Sequence, residues 1–221
     1  MNYEQARFNM IEQQIRPWDV LDQDVLTLLS VLRREDFVPA AWREAAFTDT
    51  EIPLVEGGRD GRVMLQPKVE ARILQELRVA PEERALEVGA GSGWFAALLA
   101  HRARQVHTME IDPALAETAA DNLRRAGVSN VNVVPGDGST GLASAAPFDV
   151  IVLSGSVPQV PAALLDQLKV GGRLAAIVGH LPVMRAVLHT RVDAQHWRQT
   201  VLFDTAAPRL LGFPEPSRFQ F

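Results

Sequence analysis

The chain has 221 residues, 47% of them apolar and 22% charged, with no cysteine and a formal net charge of −5. That composition excludes a disordered or collagen-like chain, any disulfide or thiolate chemistry, and the basic surplus on which sequence-blind nucleic-acid binding depends. No uncharged apolar run reaches the roughly 18 residues that a membrane span needs.

Glu4, Arg7, Glu12 and Arg16 interrupt the opening residues. A secretory leader would need an apolar run there, so a cytoplasmic chain is expected. Phe8, Ile11 and Ile15 recur at helical spacing, as do Leu21, Val25, Leu28 and Leu32. Residues 56–61, rich in glycine, read as a turn. Pro67 then opens a helix with Val69, Ile73 and Leu77 on one face. From residue 81 the pattern alternates. Strands are predicted at 84–89, 105–111, 130–135, 148–153 and 173–178, and helices at 94–100, after Asp112-Pro113, and at 161–168. Asp112 and Pro113 make an N-cap and first-turn pair, and Gly127 stands where a helix-ending glycine belongs. Strands at 184–191 and 197–205 complete the chain as an antiparallel hairpin. The predicted fold class is α/β: a doubly wound, mostly parallel sheet with an N-terminal helical cap (1–80), a core (81–180) and C-terminal antiparallel edge strands (181–221), all in one domain, 1–221.

Open sheets of this kind bind ligands beyond the carboxyl ends of their strands. The first strand ends in Glu87-Val88-Gly89-Ala90-Gly91-Ser92-Gly93-Trp94. The indole at 94 stands where the dinucleotide fingerprint requires its last glycine, and no Gly-Lys-Ser/Thr follows, so neither an NAD loop nor a P-loop is expected. The second strand ends in Glu110-Ile111, with Glu110 placed 21 residues after Gly89, where a carboxylate can accept both hydroxyls of a ribose. The third ends in Gly136-Asp137-Gly138, an acid between glycines that let a flat ring approach the backbone. Together these three strand ends describe a nucleoside site. The five histidines show no metal-ligand spacing, and no metal is expected.

This set resembles the class I S-adenosylmethionine-dependent methyltransferases. The resemblance implies a Rossmann-like fold and S-adenosyl-L-methionine as cofactor. Gly89, Gly91 and Gly93 would admit its methionine part, Glu110 and Ile111 would meet the ribose, Asp137 and Gly138 the adenine, and Glu87 would lie near the ammonium. A cationic cofactor suits so acidic a cleft. Further motifs narrow it: Gln14-Ile15-Arg16, Phe37-Val38-Pro39, Gln66-Pro67, Pro147-Phe148-Asp149 and Leu168-Lys169-Val170-Gly171-Gly172-Arg173-Leu174. With these the chain is similar to the protein-L-isoaspartate O-methyltransferases from about residue 8 to 180. The resemblance implies methyl esterification of isoaspartyl carboxylates in damaged proteins, with such a protein or peptide as partner and neither nucleic acid nor membrane.

One departure bears on the chemistry. The family's substrate loop reads Gly-x-Thr-Ile-Ser-Gln-Pro, whereas here Val63 and Leu65 replace both hydroxyls in Gly61-Arg62-Val63-Met64-Leu65-Gln66-Pro67. The resemblance puts Leu65, Gln66 and Ser154 on the acceptor side. A carboxylate is ionised at neutral pH and needs no base. Losing one hydrogen bond to it costs about 1.5–3 kcal/mol, or roughly ten- to a hundredfold in rate. Arg62 and Lys68 flank the loop; they read first as solvated loop charges and second as cations for the acceptor. Two alternatives stay open: a methyltransferase of the same scaffold with another acceptor, and a cofactor-binding protein without transfer activity.

Overall fold

The computed structural model describes residues 2–55, 57 and 61–215. Most of the turn-rich 56–61 stretch therefore lies outside the described residues. The N-terminal cap opens with α1 (Tyr3–Met10), whose first turn is capped by the Asn2 side chain. It continues through a π turn (Ile11–Ile15) and a 3-10 turn (Arg16–Trp18) into α2 (Gln23–Val31), capped by Asp22. A two-stranded hairpin follows, β1 (Ile52–Pro53) against β2 (Val63–Met64), and then α3 (Pro67–Leu77).

The alternating block is β3 (Arg84–Val88), α4 (Trp94–Ala100), β4 (Gln105–Glu110), α5 (Pro113–Arg125), β5 (Val131–Pro135), β6 (Phe148–Val157), α6 (Ala162–Asp166) and β7 (Leu168–His180). The antiparallel pair β8 (Val183–Arg191) and β9 (Trp197–Asp204) ends it. These strands form one seven-stranded sheet in the order β5-β4-β3-β6-β7-β8-β9. Strands β3 to β7 run parallel, and β8 and β9 run antiparallel to their neighbours. The predicted α/β architecture is the one observed. Strand order reverses between β3 and β6, which opens a crevice at their carboxyl ends.

Alternation along each strand divides the core between the two faces of the sheet. Ala85, Val150 and Val152 pack with the cap, α3 and α4 on one face, while Leu86, Ile151 and Leu153 pack with α6 on the other. Arg173 fastens α3 to the sheet: it donates to the carbonyls of Leu77 at 2.6 Å and Arg78 at 2.8 Å and pairs with Glu83 at 2.5 Å. Asp149 of the Pro147-Phe148-Asp149 motif accepts from the Arg84 N–H and from Lys169, each bond near 2.8–2.9 Å, at the end of the sheet remote from the crevice.

Two residues that share the helical spacing lie at the surface. Phe8, in α1 ahead of the π turn, is 59% exposed, and the buried face is drawn from Arg7, Met10, Ile11 and Ile15. Leu21 is 68% exposed because it precedes the Asp22 cap and so lies before the helical stripe begins. No helix among the described residues is long and apolar enough to cross a membrane.

Candidate functional site

A cavity of about 430 Å³ opens in the crevice where β3, β4 and β6 end. This is a size usual for a small-molecule site. Its floor is the turn that follows β3. Gly89, Gly91 and Gly93 all adopt positive φ (95°, 53° and 83°), a conformation that side-chain-bearing residues rarely take. Gly89 and Gly91 line the cavity, whereas Gly93 caps α4 and packs against α5, where a Cβ would come within 3.1 Å of the Ala119 carbonyl. Gly138 lines the far wall. A Cβ there would lie 2.5 Å from a Val88 methyl, so only hydrogen fits.

Glu110 stands at the end of β4, 6% exposed and facing the cavity. Its carboxylate accepts the Gly91 N–H at 2.8 Å and the Asp112 N–H at 3.1 Å, one on each oxygen. Each oxygen keeps a lone pair for a further donor. Ile111 lies beside it in the cavity wall, 39% exposed. Asp137 takes a different position from its glycine neighbours. Gly136 and Gly138 line the cavity, but Asp137 is exposed at its edge, accepting from the Ser139 N–H at 2.8 Å and lying against Gly212.

Glu87 is fully buried beneath the glycine turn. It accepts from Thr108 Oγ1 and Ser154 Oγ, both at 2.7 Å, and borders a small second cavity behind the first. Burial pushes its carboxyl up to about 8, because the two hydroxyls offset only part of the lost hydration. Ser154 lines both cavities, and so do Val63 and Leu65. The loop of Val63 and Leu65 thus lies against the glycine-floored crevice, with Leu65 only 7% exposed. Gln66 lines neither cavity and serves as the residue preceding α3.

The two flanking cations differ. Arg62 lines the cavity and pairs with Asp112 across it. Lys68 turns away to Asp49 at 2.5 Å and lies over the Trp18 ring at 4.3 Å, so it takes no part in the cavity wall. Sequence reasoning missed a strap after β9. Its Ser156–Arg209 bridge, with the Ser156 N–H donating to Pro208 O at 2.8 Å and the Leu210 N–H to Ser156 O at 2.9 Å, lays Pro208, Arg209, Leu210 and Leu211 along the cavity. Leu210 sits so close to the glycine turn that a Cβ on Gly89 would meet its methyl at 2.9 Å. No periodicity marks this segment, and its partner is 53 residues earlier. Also missed was a buried pair behind the loop, Arg34 with Glu70. Desolvation pushes Glu70 up to about 7 against the pull of Arg34.

Residues 5–202 match the family described as protein-L-isoaspartate(D-aspartate) O-methyltransferase. A protein-L-isoaspartate O-methyltransferase of Koribacter versatilis is 39% identical over 93% of this chain and 90% of its own length. One of Herpetosiphon aurantiacus is 37% identical over 95% and 92%. Among solved structures, a protein-L-isoaspartate O-methyltransferase superposes with a TM-score of 0.81 at 24% identity, covering 95% of this chain and 66% of that one. A Plasmodium falciparum structure in complex with S-adenosyl-L-homocysteine gives 0.75 at 19% identity, covering 94% and 97%. At such identities the two structures speak to the fold.

Proposed function

The chain belongs to the protein-L-isoaspartate(D-aspartate) O-methyltransferase family, and we propose that it methylates isoaspartyl carboxylates of proteins or peptides with S-adenosylmethionine. The observation that carries this reading is the glycine-floored crevice of about 430 Å³ with Glu110 on its wall. It is a cradle that a Cβ on Gly89 or Gly138 would fill. An acidic, apolar-walled cleft of this kind also fits a cation.

Glu110 accepts the ribose hydroxyls on the lone pairs its backbone donors leave free, with Ile111 against the sugar. Gly138 admits the adenine edge, and Asp137 at the rim accepts from its amino group. Glu87 meets the ammonium end from beneath Gly89 and Gly91, the cation drawing its carboxyl down from about 8 so that it ionises as the cofactor binds, while Gly93 holds α4 close enough to α5 to keep the turn in shape. The bound cofactor supplies an electrophilic methyl on a sulfonium. An acceptor carboxylate is already ionised, so transfer to it would ask no residue here to hold or move a proton. Catalysis then rests on alignment and exclusion of water. The Leu65 and Ser154 side supplies both, with Gln66 carrying the loop into α3. The three blocks act as one domain over 1–221.

Val63 and Leu65 on the cavity wall favour a second reading, the same transfer to a different acceptor. Transfer of labelled methyl to an isoaspartyl peptide, with the aspartyl peptide as control, separates the two. Label on the isoaspartyl peptide alone supports the first. Label on neither, from protein that binds S-adenosylhomocysteine, overturns it.

A further inference from the structure

The chemistry above gives Arg34 no part, yet its side chain is among the most completely buried in the protein, 1% exposed. Its donors reach three separate segments. Nη2 donates to the Leu65 carbonyl at 2.7 Å, Nε donates to the Ala46 carbonyl at 3.1 Å, and Nη1 pairs with the Glu70 carboxylate on α3. The guanidinium also lies 5.3 Å over the Trp94 ring, which meets Phe37 edge-on at 5.4 Å. A guanidinium persists in an interior only where its charge is paired and its donors are met. Glu70, 5% exposed, supplies the charge.

The two carbonyls are not arbitrary. Ala46 precedes β1 and Leu65 follows β2, so one side chain ties both feet of the hairpin that carries Leu54, Arg62 and Val63 to the cavity. Fixing the Leu65 carbonyl also fixes the residue that lines both cavities beside Val63.

We infer that Arg34, charge-paired with Glu70, is the positioning residue of the acceptor loop, holding the Leu65 carbonyl and with it the Val63 and Leu65 wall of the cavity in the orientation that receives the acceptor carboxylate. This inference rests on the proposed carboxylate acceptor. Val63 and Leu65 have no side-chain hydrogen bonds with which to fix that wall, which is why a buried, multiply bonded arginine stands behind it.

The test compares Arg34→Lys, which keeps the charge but cannot reach both carbonyls and the carboxylate, with Glu70→Gln, which keeps the shape and loses the charge. In Arg34→Lys the KM for an isoaspartyl peptide rises tenfold or more, while the Kd for S-adenosylhomocysteine stays within twofold. Amide hydrogen exchange speeds up in residues 61–66 and is unchanged in 84–93. Glu70→Gln moves KM and exchange the same way by a smaller factor, and it carries the test should Arg34→Lys fail to fold. A KM within twofold of the natural protein overturns the inference, as does a cofactor Kd that rises by the same factor as KM. Should the natural protein leave the isoaspartyl peptide unmethylated, the functional reading falls. The Arg34 anchor is then judged by exchange alone, where unchanged protection of 61–66 overturns it.

Discussion

Replacing Glu110 by alanine tests the cofactor reading most directly, and the structure separates its two effects. On the ligand side, a carboxylate accepting from ribose hydroxyls makes a charge-assisted pair of bonds. Removing it costs about 1.5–3 kcal/mol of cofactor affinity, or roughly ten- to a hundredfold in Kd. On the folding side, sequence alone suggests almost no effect, since a strand-end carboxylate is ordinarily solvated. The structure revises this. Both oxygens of Glu110 already hold backbone donors, the N–H groups of Gly91 and Asp112 at 2.8 and 3.1 Å. Alanine leaves both without an acceptor. A wholly buried orphan costs about 1–3 kcal/mol, but water in the open crevice reaches these two, so a total near 1–2 kcal/mol is expected. Glu110→Gln keeps one acceptor oxygen and recovers part of both losses. Calorimetry with S-adenosylhomocysteine reads the first effect and urea unfolding the second. An unaltered Kd in Glu110→Ala would refute the placement of the ribose, and an unaltered midpoint would refute the claim that the carboxylate braces the glycine turn.

Glu87 is pushed up to about 8 by burial, so it is protonated when folded and ionised when unfolded between about pH 4.5 and 8. Its contribution to stability is complete below the unfolded value and is lost as pH rises through the folded one. Natural protein therefore weakens relative to Glu87→Gln by on the order of 1 kcal/mol per pH unit across that window, and parallel urea midpoints from pH 5 to 8 would show that the group is not held neutral. Val63→Thr with Leu65→Ser restores two hydroxyls at the cavity wall and should raise the rate of isoaspartyl methylation by about tenfold, one hydrogen bond to a charged oxygen. No change in label transfer would mean that the hydroxyls do not limit this site. Arg173→Ala frees the end of α3 and removes the Glu83 pair, which should lower stability by about 2–4 kcal/mol with the cofactor Kd within twofold. A cofactor affinity falling in step would tie α3 to the crevice instead.

What could be read from the chain alone follows from how local each signal is. The glycine turn after β3, the acid ending β4 and the Gly136-Asp137-Gly138 turn are each a few consecutive residues at a strand end, and the parallel sheet brings strand ends together whatever the intervening helices do. Phe8 and Leu21 share the spacing of their buried neighbours yet lie exposed, Leu21 because the Asp22 cap starts the helix after it. The strap at 208–211 could not be read, because its place is set by a bridge to Ser156 and by nothing in its own pattern.

Glu70 belongs to neither group. Its partner Arg34 is 36 residues away, a pairing that no spacing rule supplies. Yet the anomaly itself was present in the sequence. Counting from position 70, Ile73, Leu74 and Leu77 fall at i+3, i+4 and i+7, which puts the carboxylate in the middle of the apolar face of α3. An acid there must find a buried cation, be protonated with its hydrogen bonds met as Glu87 is, or unravel the face. In this fold it finds the cation of Arg34. Its bond to Leu65 makes a helix-packing anomaly also a statement about the acceptor loop.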